Sequence, residues 1–252
     1  MTKGNRRKFA GNGAIMMSGS GIGSDRRHMY AKWAFQSIVW IAGMAALLLV
    51  PAGTWRWPAA WIYLASMILI GLVSGLWLGK TDPELFAERM RLTASDEQPA
   101  ADKLFVPVLG VFFLGWFVLI GIDHRLHGCD FTRVLQALGL AMLLASTVFI
   151  MWVLRENSFA APLVKVQSER GHRVISSGPY AWVRHPMYSG AIVFFVGIPL
   201  LLGSLWGLIA SPLLALLFAI RITIEERTLR EGLEGYIDYT SKVRYRLLPG
   251  VW

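Results

Sequence analysis

The sequence predicts an all-α integral membrane bundle: four spans, then a C-terminal helical hairpin, with a polar pocket on the cytoplasmic side. Three observations carry this. Of 252 residues, 55% are hydrophobic and only 16% charged, where a soluble domain carries about a quarter charged residues; mean hydropathy is +0.48. Uncharged runs recur at the length of a bilayer crossing. The basic residues collect on alternate sides of those runs.

The elements follow in order. Residues 1–32 are basic and rich in Gly and Ser, with no apolar stretch of signal-peptide length. They predict a disordered cytoplasmic tail, within which Met29 is an alternative start. The glycines of 11–23 lack the preceding strand and following helix of a nucleotide loop and read as flexible chain. Uncharged runs at 33–50, 57–79, 104–122 and 134–154 are each 18 to 23 residues long. A helix needs roughly 20 residues to cross a ~30 Å hydrocarbon core.

Between the second and third runs, Thr81-Asp-Pro-Glu84 is a helix-start signal. It predicts a short interfacial helix to about Arg91, then a polar linker over 93–103, a connector rather than a lid over a lipid site. In the outer loop, His124 and His127 with Asp123 and Asp130 read as solvated side chains, and no metal site is expected. Cys129 is the single cysteine, so no intramolecular disulfide forms.

The fifth uncharged run, 188–220, holds 33 residues. As one helix it would be about 50 Å long, too long for the bilayer at an ordinary tilt. Pro199, Gly203, Ser204, Gly207 and Pro212 interrupt it. Two arms of about 15 residues, turning near Gly203 and Ser204, are expected; a single kinked helix is the alternative.

Charge sets the orientation. With a cytoplasmic N-terminus and alternating spans, the cytoplasmic segments 1–32, 80–103, 155–187 and 221–252 hold 22 of the 25 Lys and Arg. Arg56, Arg125 and Arg133 remain outside. This is the positive-inside pattern, and it requires 188–220 to return to the side it left. It predicts a multi-pass protein of an inner or plasma membrane with both termini cytoplasmic. Anionic lipid headgroups account for the basic balance without nucleic acid. Three regions result: a tail at 1–32, a four-span region at 33–154 and a chemistry-bearing region at 155–252.

That last region concentrates Arg, His and Tyr. It contains Gly178-Pro-Tyr-Ala-Trp-Val-Arg-His-Pro-Met-Tyr188, the hairpin, Arg221-Ile-Thr-Ile-Glu-Glu-Arg227, and an aromatic, basic tail with Tyr236-Ile-Asp-Tyr239 and Arg244-Tyr-Arg-Leu-Leu-Pro-Gly-Val-Trp252. Arg221 and Glu225 fall on one helix face at a membrane boundary, as a plain ion pair or as a site. Glu226 points elsewhere and can reach Arg230. Pro186 pushes His185 out of helical geometry, which builds a rigid corner carrying Arg184, His185 and Tyr188. A returning hairpin brings this corner to the Arg221/Glu225 face. An acid, a His, several Tyr and backbone groups suit a polar cofactor with an ammonium and an adenine, held without a Rossmann motif.

Those motifs, in that order and spacing, resemble the isoprenylcysteine carboxyl methyltransferase family, within a wider membrane group that includes phospholipid methyltransferases. The resemblance covers residues 157–252; the first four spans match in general character only. It implies S-adenosyl-L-methionine as cofactor. It implies cofactor binding by Gln167, by His172, Arg173, Val174 and Ile175, by Tyr180, by His185, Pro186, Met187 and Tyr188, and by Glu225. It implies a substrate-binding Arg221, and Arg221 and Glu225 as the catalytic pair. Methyl transfer from a sulfonium needs positioning and desolvation, and an ionised carboxylate acceptor needs no base. Arg221 would orient that carboxylate, while Glu225 would favour the cofactor's positive charge. The expected acceptor is lipophilic or lipidated, an isoprenylcysteine-like carboxylate first. A phospholipid amine or another small lipophilic acceptor is the alternative; an amine needs a base, for which His172 and His185 are the candidates. An NADPH-dependent sterol-type reductase, which the closing Tyr-Arg-Leu-Leu-Pro-Gly-Val-Trp also resembles, and a non-catalytic scaffold are the readings outside this class.

Overall fold

The computed structural model describes residues 19–91, 98–128 and 131–252. The glycine-rich tail before residue 19, most of the polar linker, Cys129 and Asp130 lie outside the described residues. Eight α-helices are described: α1 Gly19–Ala52, α2 Pro58–Thr81, α3 Pro83–Arg89, α4 Ala100–His127, α5 Arg133–Glu156, α6 Pro186–Leu202, α7 Leu205–Gly232 and α8 Tyr236–Lys242. Five of them (α1, α2, α4, α5 and α7) are long and apolar enough to cross a membrane, and the chain is a multi-pass helical membrane protein. Large apolar side chains such as Leu69, Val111 and Val148 point outward along these helices, as a lipid-facing surface requires.

Local chemistry sets the helix ends. Asp82 accepts from Leu85 N at 2.9 Å and starts α3, as the Thr-Asp-Pro-Glu signal predicts. Gly203, at φ +72°, ends α6 in the left-handed turn that glycine favours. Ser204 then caps α7, its Oγ accepting from Gly207 N at 3.0 Å. Asp123 of α4 locks this turn from the side: its Oδ2 accepts from Ser204 Oγ at 2.6 Å and from Trp206 N at 3.1 Å. The expected hairpin is therefore present, turning where predicted.

Three expectations change. Helix α1 begins at Gly19, so residues 19–32, read as part of a disordered tail, are helical; Tyr30 and Trp33 pack on Phe86 of α3, which gives this turn of helix an apolar neighbour. The linker ends earlier than 103, because α4 opens at Ala100. The second hairpin arm is 28 residues rather than about 15: the helix continues through the charged stretch because its polar side chains find partners, given below.

The core is a layer of Met44, Leu48, Trp57, Tyr63, Trp116, Phe117, Ile120, Leu143, Leu202 and Leu214, drawn from α1, α2 and the residue before it, α4, α5, α6 and α7. α5 and α6 approach backbone to backbone. A Cβ at Gly139 would lie 2.4 Å from Leu201 N and 2.7 Å from the Gly197 carbonyl oxygen. This close approach of small residues is how membrane helices gain contact without a hydrophobic drive between them. His124 and His127 lie on the last turn of α4 rather than in a loop. His124 stacks on Trp57 with centroids 3.9 Å apart, and His127 Nδ1 lies 2.9 Å from Asp123 Oδ1.

Candidate active site

α5 ends at Glu156, and the chain then runs to residue 185 without a long helix. This segment folds over the ends of α6 and α7. A cleft of about 810 Å3, partly open to solvent, lies between it, those helix ends and α8. His172, Arg173, Val174, Ile175, Tyr180, His185, Met187, Tyr188 and Glu225 all line it. These residues come from separate stretches of the chain, which the fold brings to one cleft.

The corner forms as Pro186 dictates. His185 sits at φ −125°, ψ 59°, outside helical geometry, and Pro186 opens α6. The His185 and Tyr188 rings lie 6.0 Å apart. Tyr188 Oη donates to Glu225 Oε2 at 2.9 Å, and His185 Nδ1 stands 4.0 Å from Glu225 Oε1. Corner and hairpin helix therefore meet at Glu225, which keeps about a quarter of its side chain exposed to the cleft (28%).

His172 stacks on Phe159 with centroids 4.6 Å apart, and its Nδ1 accepts from Gln167 N at 3.3 Å. Burial first, then the adjacent Arg170 guanidinium, lowers its pKa to about 4. The ring is therefore neutral at pH 7, with its proton on Nε2. Tyr180, held by Asn157 Nδ2 donating to its Oη at 2.9 Å, is pushed above the usual phenol range by burial.

Three of the named residues stand elsewhere. Gln167 is buried behind the cleft wall, where its Nε2 donates to the Phe159 carbonyl at 2.7 Å. Pro186 is buried as the first residue of α6. Arg221 does not pair with Glu225. Its Nε lies 3.3 Å from Asp102 Oδ1, and its Nη2 donates to the Pro162 carbonyl. Glu226 reaches Arg230 only at 4.0 Å; its nearer partners are Arg184 Nε at 2.6 Å, Arg246 Nε at 3.1 Å and His185 Nε2 at 3.3 Å.

Sequence reasoning missed Asp102, which is fully buried and also accepts from Gln98 Nε2 at 2.8 Å and Val164 N at 3.2 Å. It lies over a hundred residues from Arg221, and its one signal was a charge just before an apolar run. Lys165 of the cleft wall was missed as well, and Tyr236 and Tyr239, singled out in the tail motif, had been given no role in the site.

The cleft can hold a polar, zwitterionic molecule. Glu225 offers an acceptor for a cation. Arg173 of the lining offers positive charge. Among the described residues Tyr236 Oη is buried without a hydrogen-bond partner, and Tyr236 lines the cleft, so a polar ligand there would satisfy a costly hydroxyl.

Comparison with known proteins agrees. Residues 134–234 match the phospholipid methyltransferase family. Protein-S-isoprenylcysteine O-methyltransferase B of Arabidopsis thaliana is 32% identical over 90 residues, which is 32% of this chain and 42% of that protein. The Saccharomyces cerevisiae protein-S-isoprenylcysteine O-methyltransferase is 36% identical over 83 residues, 32% of this chain and 35% of that protein. The chain thus matches less than half the length of each. The solved eukaryotic intramembrane Ras methyltransferase, an isoprenylcysteine carboxyl methyltransferase, superposes with TM-score 0.52 at 21% identity, covering 85% of this chain and 75% of that one. Its likeness bears on the fold, which extends the agreement to the N-terminal spans. Residues 134–234 are thus similar to the phospholipid methyltransferase family, and part of the chain to the isoprenylcysteine O-methyltransferases over part of their length.

Proposed function

We propose that this protein is an S-adenosyl-L-methionine-dependent methyltransferase acting within the membrane on a lipophilic acceptor, first among them the carboxylate of an isoprenylcysteine-like molecule. The observation that carries it is the convergence of Glu225, Tyr188 and residues 172–175 on one cleft beyond the ends of the apolar helices. Bound there, the cofactor would supply a methyl on a sulfonium, whose S–C bond breaks as the acceptor oxygen gains an O–C bond. Glu225, fixed by Tyr188, would stabilise the positive charge. The segment 157–185 would exclude water, which strengthens such interactions. Arg221, steadied by Asp102 and Pro162, would orient the acceptor's carboxylate. Residues 155–252 are the catalytic region in this reading. In this reading the cleft and both termini face the cytoplasm from an inner or plasma membrane, which the concentration of Lys and Arg in alternate segments supports.

Thermal shift of the detergent-purified protein tests this directly. S-adenosylhomocysteine at a hundred times its Kd raises stability by about 2.7 kcal/mol, and NADPH leaves it unchanged. Glu225→Ala weakens that shift, whereas Arg221→Ala abolishes turnover and keeps it. A shift with NADPH alone overturns the proposal; equal loss of the shift in both variants overturns the division of roles.

A further inference from the structure

The outward face of α7 changes character along its length. Leu213, Leu216 and Ile220 are exposed on it, as a lipid-facing stripe requires. At the same spacing of three and four residues the stripe continues into Thr223, Arg227 and Arg230, all exposed. Thr223 follows Arg221, and Arg227 follows Glu225, by two residues, or about 200° around the helix. This face therefore turns away from the cofactor cleft. Beside it lies a shallow hollow of about 570 Å3, lined by Thr223, Glu226, Arg227, Arg230, Glu231 and Arg246. Arg246 comes from the tail, so the hollow joins two distant segments. From Ile220 to Arg227 the helix rises about 10 Å, comparable with the headgroup layer that adds about 5–8 Å to each side of the hydrocarbon core.

The charges of the hollow do not balance. Glu226 is the carboxylate of three guanidiniums: Arg184 Nε at 2.6 Å, Arg246 Nε at 3.1 Å and Arg230 Nη2 at 4.0 Å. Arg227 Nε lies 3.1 Å from Glu231 Oε1, but both side chains are mostly exposed; a pair of that kind is worth little and yields to a stronger anion. Among the described residues, four guanidiniums thus share two carboxylates here. Arg246 is also steadied by Trp252, whose ring centroid lies 4.9 Å from its Cζ, and tryptophan is the side chain enriched at headgroup level.

We infer that this hollow binds the phosphate headgroup of an acidic membrane phospholipid, with its acyl chains along Leu213, Leu216 and Ile220. The lipid is a bound partner and not the methyl acceptor, because Arg221 and Glu225 face the other way. The planar forks of Arg227, Arg230 and Arg246 match phosphate oxygens. A lipid with net negative charge relieves the excess of guanidiniums; a zwitterionic lipid brings its own ammonium and relieves it less. By drawing Arg227 and Arg230 of α7 towards Arg246, the phosphate fastens the helix to the tail that rests on the corner at 184–188. The inference goes beyond the methyltransferase reading and does not depend on it.

The test follows the thermal midpoint of the full-length protein, delipidated in a nonionic detergent, and needs no turnover. Phosphatidylglycerol, phosphatidylcholine and inorganic phosphate are titrated separately. Phosphatidylglycerol is expected to raise the midpoint, since it binds the folded chain, and to raise it less at high salt. Phosphatidylcholine and inorganic phosphate at the same concentration leave it unchanged. In the double variant Arg227→Gln with Arg230→Gln, both exposed side chains outside the cofactor cleft, the lipid-free midpoint stays at that of the wild type. The phosphatidylglycerol concentration at half shift rises about twentyfold, or about fivefold for each charge removed beside an anionic lipid. Arg227→Lys with Arg230→Lys keeps the charge and retains much of the shift. A wild type that does not respond to phosphatidylglycerol overturns the inference, as does an equal response to phosphatidylcholine. A shift kept in full by the double Gln variant places the lipid elsewhere and overturns it too. An equal response to inorganic phosphate overturns the lipid assignment in favour of a free-anion site.

Discussion

His172 shows how one residue couples the cleft to pH. Its Nδ1 accepts a hydrogen bond from Gln167 N and its face stacks on Phe159, and protonation would end the first contact. The folded-state pKa is about 4 against an ordinary 6.5. Between those values the unfolded chain binds more protons than the folded one, so stability rises with pH. The contribution is complete above about 6.5 and is lost as pH falls towards 4. Acidification from pH 7 to 4.5 is therefore expected to lower the thermal midpoint of the wild type more than that of His172→Gln; parallel curves would exclude this role. His172 was named only through the family resemblance, as one of the residues it implies for the cofactor. Asp102 was not named at all: its meaning depends on Arg221 and Val164, which only the folded chain brings to it.

The element that decides the geometry is the α5–α6 pair. α6 carries Met187 and Tyr188 into the cleft from its first turn, and its depth against α5 is set where Gly139 and Gly197 meet. A side chain at Gly139 must displace backbone rather than a flexible neighbour. Gly139→Leu is expected to cost about 1–3 kcal/mol by overpacking and to weaken S-adenosylhomocysteine binding, because α6 shifts with its corner. Gly110→Ala in α4, where a Cβ meets nothing within 4 Å, is the control and should melt at or above the wild-type midpoint. Equal midpoints for the two variants would refute the close-packing argument. The helices themselves were legible, since uncharged length and a glycine–serine break report on the chain alone. Which helix faces touch was not, because spans that are apolar all round offer no stripe to read.

At the scale of the molecule, Glu226 ties three distant segments together. On α7, it holds Arg184 of the corner and Arg246 of the tail. Arg184 also donates through Nη1 to the Val243 and Arg244 carbonyls, each at 2.8 Å. The backbone then pairs directly: Arg184 N donates to the Tyr245 carbonyl and His185 N to that of Arg246, both at 2.9 Å. Tyr239 Oη donates to the Tyr180 carbonyl at 2.7 Å, closing the cleft from α8. The charges of this clasp were visible in sequence, but helical spacing pointed Glu226 to Arg230, since periodicity sees only its own helix. Removing the carboxylate leaves Arg184 buried among carbonyls with no counter-charge, which costs about 3–5 kcal/mol for a broken buried pair. Glu226→Ala is thus expected to lower the midpoint sharply and, with corner and tail released together, to abolish S-adenosylhomocysteine binding although Glu226 lies outside the cleft lining. Arg230→Ala, removing the distant and half-exposed partner, should leave both nearly unchanged. A Glu226→Ala protein that melts and binds like the wild type would mean that the tail's backbone bonds hold the corner without the charge.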